Sequence, residues 1–116
     1  MGSFHSVRGW LELDEDQLAQ VRGIVAADSD DIGHYASCWH FAVEGGWSQF
    51  AFFGCTVRTS LLPQVRAQLE RIAREVVSHD GEFTDYAVGV FHVALEDDGE
   101  LVWRLEGGTF TENRAA

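Results

Sequence analysis

The chain has 116 residues, with 19 acidic side chains against 8 basic ones, for a formal net charge of −11. That length supports one hydrophobic core and leaves no room for separate catalytic and cofactor domains. All eight cations are arginine; the charge disfavours a nucleic-acid partner, and the absence of lysine excludes Schiff-base chemistry and the lysine-bearing phosphate loop.

A hydrophobic content of 46% with 12% aromatics is that of a globular domain rather than an acidic tail. No apolar run approaches the ~20 residues of a membrane span, so no membrane partner is expected. The first residues lack a basic region followed by an apolar stretch, which predicts a cytoplasmic protein. In a reducing compartment Cys38 and Cys55 read most simply as buried thiols.

Residues 4–13 alternate and predict a strand, with Phe4, Ser6, Arg8, Trp10 and Glu12 on one face. Asp14 as N-cap and Gln17 three residues on form a capping-box pattern that opens a helix over about residues 15–27. Residues 28–36 read as a polar loop. Ser37–Val43 and Trp47–Val57 read as two strands joined at Gly45-Gly46. Thr59 or Ser60 caps a second helix, and Leu62, Val65, Leu69, Ile72, Ala73 and Val76 form its apolar stripe. Gln68 lies off that stripe, and the helix ends at His79-Asp80-Gly81. Residues 83–95 read as one long strand, Asp97-Asp98-Gly99-Glu100 as a turn and residues 101–106 as a fifth strand. The segment 109–116 reads as a frayed tail.

The order is β-α-β-β-α-β-β. It predicts a single α+β domain over residues 1–116, with a ferredoxin-like split β-α-β pattern. An antiparallel sheet of about five strands would carry two helices on one face.

No constellation points firmly to catalysis. Cys38 and His40 share a strand face and Cys55 lies on the partner strand, but Cys-x-His alone is a weak zinc signal, and no metal or cofactor is predicted. A two-residue loop would leave the two cysteines offset by two positions, and a four-residue loop would set them opposite each other, so register decides whether they can pair. Asp97-Asp98-Gly99 lacks the rest of a calcium loop. Trp10 with Phe50 or Phe52 could stack bases on an open sheet, yet the basic residues of RNA-binding sheets are missing.

Clustered acid is the remaining signal. Glu12, Asp14, Glu15 and Asp16, then Asp28, Asp30 and Asp31, then Asp80, Glu82 and Asp85, then Glu96, Asp97, Asp98 and Glu100 fall mostly at junctions and turns, where several could merge into one negative surface, with Asp14–Asp16, Asp28–Asp31 and Asp97–Glu100 as the expected contacts. Such a surface steers a cationic protein. Tyr35 and Trp47 are the predicted apolar anchors beside these loops.

Phe4-His-Ser-x-Arg-Gly-Trp10, the Trp39-x-Phe41 to Gly-Gly-Trp47 hairpin, Phe52-Phe-Gly-x-Thr-Val-Arg58 and Arg-Ile-Ala73 together resemble a group of small bacterial proteins. That group is similar to the immunity proteins of toxin systems. The resemblance implies a compact, non-enzymatic acidic inhibitor that occludes a basic toxin or nuclease, and it carries no active-site residue. Two further readings stand beside it. One is a small-molecule binder or enzyme in which Cys38, His40, Cys55 and His92 converge on a cleft. The other is a homodimer or larger homo-oligomer associating through the open sheet face.

Overall fold

The computed structural model describes residues 3–42, 48–96 and 99–115. Residues Phe4–Leu13 form β1 and Glu15–Ala27 form α1. The Asp14 carboxylate accepts from the Gln17 backbone at 2.8 Å, and the Gln17 side chain accepts from the Asp14 backbone at 2.9 Å. Strand β1 and this capping box therefore stand as the sequence predicts.

The stretch expected as a loop is ordered into a short helix α2 (Ser29–Ile32) and a 3-10 segment, Gly33–Cys38. Ile32 and Tyr35 supply the apolar contacts that fold it onto the core. Strand β2 is Trp39–Phe41 and β3 is Gln49–Arg58; the Gly45-Gly46 turn lies outside the described residues. A 3-10 turn, Thr59–Leu61, leads into α3 (Leu62–Glu75), with Pro63 in its first turn. No side chain caps this helix, so the predicted Thr59 or Ser60 cap is absent.

Four further expectations need correction. The second helix stops at Glu75, because Val76 is extended and Val77–Asp80 forms β4. Strand β4 pairs with β5 (Phe83–Tyr86) across Gly81, whose φ of 63 suits glycine. The predicted long strand is thereby divided: Ala87, fully buried, separates β5 from β6 (Val88–Ala94), which joins the main sheet. After β7 (Glu100–Glu106), the expected tail is instead β8 (Thr109–Arg114), turned by Gly107 and Gly108 with φ of 60 and 80. Two consecutive positive φ values are what a tight hairpin turn demands. Strand β8 is held by Trp103, whose indole N–H donates to Glu112 Oε1 at 2.8 Å, and by Phe110 against the Trp103 ring.

The fourth correction concerns Gln68. It lies 2% exposed in the core, not off the apolar stripe. Its Oε1 accepts from the Trp39 indole at 2.9 Å and its Nε2 donates to Asp28. A buried indole N–H needs such a partner.

The result is a single α+β domain with a six-stranded antiparallel sheet ordered β2-β3-β1-β6-β7-β8 and a separate β4-β5 hairpin. Alternation sends Val7, Leu11, Phe53, Val57, Phe91, Val93, Trp103 and Leu105 to one face, where α1 and α3 cover them. The centre of this sheet is an interlock between β1 and β6. Gly9 pairs with Phe91 and Leu11 pairs with Gly89, so each glycine lies under the large residue opposite. A Cβ at Gly9 would come 2.1 Å from Val90 O and 2.6 Å from Phe91 Cα, both backbone atoms that cannot yield. By contrast, a Cβ at Gly54 would meet nothing within 4 Å.

Gly9→Ala is therefore expected to destabilise the fold by about 1–3 kcal/mol or more, whereas Gly54→Ala stays within about 0.5 kcal/mol of the parent. Urea unfolding midpoints of the two variants check this; similar midpoints would contradict the interlock.

Candidate functional site

The open face of the sheet carries the residues that alternate away from the helices. Strand β1 contributes Ser6, Arg8, Trp10 and Glu12; β3 contributes Phe50, Phe52, Gly54 and Arg58; β6 contributes Val88, Val90 and His92. Trp10 is 42% exposed and sits directly opposite Phe52, 48% exposed. Phe52 stacks on Phe50 with centroids 6.2 Å apart. Trp39 and Trp103 are buried, so Trp10 is the exposed tryptophan among the described residues; the predicted anchor Trp47 lies outside them.

Between these aromatics runs a groove of about 530 Å³, lined by Arg8, Trp10, His40, Phe52, Gly54 and His92. Among the described residues its lining holds no carboxylate. At its edge Arg8 pairs with Glu100 at 3.0 Å, and His92 lies 3.5 Å from the same carboxylate.

Counting by register, this face holds three arginines (Arg8, Arg58, Arg104) and three glutamates (Glu12, Glu100, Glu106). The chain's other sixteen carboxylates and five arginines, which carry the net charge of −11, are not among these strand positions.

That acid does not gather as the sequence suggested. Glu100 is committed to Arg8 on the open face. Asp28 accepts from Gln68 and pairs with Arg71 at 3.4 Å. Asp14 accepts from Gln17 on one oxygen and from the Ser78 hydroxyl on the other. These three serve the fold first. Tyr35 is 2% exposed and its hydroxyl accepts from the Arg58 backbone at 3.0 Å, so it offers no surface anchor. Asp97 and Asp98 lie outside the described residues. Asp30 and Asp31 are exposed, but at the far end of α1, some ~20 Å from Glu15 and Asp16 at the helical rise of 1.5 Å. Arg71 lies beside Asp31 in the cleft there.

A different cluster does form. Glu12, Asp14 and Asp85 line one cleft of about 290 Å³ at the end of β1, together with Gln17, Ser48 and Tyr86, and no arginine borders it. The Gln17 side chain, already in the capping box, donates to the Asp85 carbonyl at 2.9 Å and ties β5 to the start of α1. Glu15 and Asp16 lie exposed in the adjoining first turn, where the helix dipole favours anions. Phe50 and Val88 flank Glu12 across the sheet, so the aromatic strip runs into this acidic end.

Cys38, His40, Cys55 and His92 do not converge. His40 and His92 line the open-face groove, whereas Cys38 and Cys55 pack against the core. The described residues include no group of three His, Cys, Asp or Glu able to hold a metal ion. Register sets Trp39 opposite Phe53, which places Cys38 beside Cys55, one position out of line. Burial, with the adjoining Cys38 thiol through its hydrogen bond and charge, pushes the Cys55 thiol up from 9.0 to about 12. No family model matches the chain, and no curated protein or solved structure matches it either.

The raised Cys55 thiol has a pH consequence. An unfolded Cys55 ionises from about pH 9, while the folded one keeps its proton to about 12. The unfolded state binds fewer protons in that window, so stability falls with rising pH there; the contribution is intact below pH 9 and lost on approach to 12. Urea midpoints measured stepwise upward from neutral pH are expected to fall more steeply for the parent than for Cys55→Ala. Parallel curves would rule the effect out.

Proposed function

We propose that this is a non-enzymatic binding protein that receives a cationic protein at the acidic end of β1 and acts as an immunity-type inhibitor of a basic toxin or nuclease. The observation that carries this reading is the arginine-free cleft lined by Glu12, Asp14 and Asp85. Glu15 and Asp16 beside it extend the negative surface. A low-dielectric cleft of one sign focuses its field and speeds the encounter with a cationic partner. Inhibition is by occlusion: the carboxylates engage arginines and lysines that would otherwise hold the toxin's anionic substrate. Asp14 adds charge while its oxygens stay bonded within the fold. The exposed carboxylates Glu15, Asp16 and Asp85 make the contacts.

The sheet order β2-β3-β1-β6, with α1 and α3 as crossovers, fits a ferredoxin-like core to which β7 and β8 add two further strands. In that reading the cleft lies where β1 hands over to α1, and the chain works in the cytoplasm, where a nuclease would do its damage.

Co-expression tests the proposal. Cells carrying a cationic toxin encoded beside this gene should survive when the chain is present. Survival should be lost with the Glu15→Lys, Asp16→Lys, Asp85→Lys variant, which should also bind the purified toxin at least about tenfold more weakly at low salt. A gene neighbourhood without a toxin, or equal protection by parent and variant, would overturn it.

A further inference from the structure

We infer that a second copy of this chain covers the open sheet face, giving a twofold dimer in which the two sheets pack against each other.

The first argument is electrostatic. Most surfaces of a chain with a net charge of −11 repel a second copy. The open face is the exception, because its three arginines and three glutamates cancel. Two copies can therefore approach through this face with their excess negative charge turned outward. A strongly cationic partner gains nothing from charge at such a face, and an identical neutral face is not repelled by it.

The second argument is shape and chemistry. The face is divided along the boundary between β1 and β6. On one side stand the aromatics Phe50, Phe52 and Trp10, with an open depression above Gly54. On the other stand the aliphatics Val88, Val90 and Val102. A closed twofold interface must be complementary to itself. An axis along the strands between β1 and β6 lays the aromatic half of one copy over the aliphatic half of the other. The large side chains then meet the smaller ones instead of one another.

The third argument is area. Six strands about 4.8 Å apart, averaging about seven residues in length at 3.3 Å each, span roughly 600 Å² on each copy, hence roughly 1,200 Å² in total if the whole face is covered, at the lower bound of a stable interface. Trp10, Phe52 and Val88 stand exposed on this face and give it an apolar centre.

Sedimentation equilibrium on the full chain tests this at low and high salt. The expected mass is twice 12.9 kDa at concentrations on the order of tens of micromolar, and association should tighten as salt screens the outward charge. Trp10→Glu with Phe52→Glu should give a monomer of unchanged circular dichroism. Because a double variant can fail to fold, Val90→Arg is run in parallel on the other half of the face and should also give a monomer. A monomeric parent at both salt concentrations would overturn the inference, as would a dimer that survives both variants folded. The result is distinguishable from the proposed function, because the variants leave Glu15, Asp16 and Asp85 untouched; loss of the dimer with toxin protection retained separates the two.

Discussion

The rest of the structure depends on the glycine interlock between β1 and β6. Gly9 under Phe91 and Gly89 under Leu11 let the two strands approach with a large residue on each filling the space the other leaves. Only one register permits both contacts. Because side chains alternate with a period of two, a slip of one residue would turn Trp10 inward and Leu11 outward. Strand β1 also pairs along its whole length with β3, so the same constraint sets Phe52 opposite Trp10 and Gly54 opposite Arg8. The open face is thus a consequence of how the core closes, and its aromatics are exposed because the opposite face is full.

Charge is sorted by the same geometry. Strand positions facing away from the helices hold equal numbers of arginines and glutamates, and the acid collects at turns and helix ends. Part of it is structural. Asp14 closes the capping box and receives the Ser78 hydroxyl, while Asp28 connects Gln68 with Arg71. Such carboxylates are held by the fold they stabilise and cannot also reach a partner. Of the others, Glu15, Asp16 and Asp85 are exposed near the arginine-free cleft. Net charge alone does not make this distinction; it appears only when hydrogen-bond partners are assigned.

Strand β1, the capping box and the span of α1 were legible because each is a local pattern: alternation, a cap three residues from its reciprocal partner, and apolar spacing. The turn at Gly107-Gly108 carried the same double-glycine signal used to read Gly45-Gly46, but the polar residues after it masked a strand. Its pairing is secured by Trp103 and Phe110, one of them on another strand. The end of α3 was misplaced because apolar spacing continues through Val76, whose side chain is buried whether the backbone is helical or extended. Gln68 looked like a surface residue because nothing in its own helix reveals that the Trp39 indole, 29 positions away, needs an acceptor. Asp85 stands in an acidic cluster of the sequence, but its place beside Glu12 and Asp14 is hidden there for a similar reason. Its place is set by the β4-β5 hairpin and by the reach of Gln17, contacts across 68 positions that no local window contains.

The two surfaces meet at Glu12. Its strand neighbours Phe50 and Val88 belong to the open face, while its carboxylate opens into the acidic cleft. In the proposed dimer a twofold axis running along the strands preserves direction along them, so both copies would present their acidic ends on the same side. Their mutual repulsion then opposes association, which is why the neutrality of the sheet face matters.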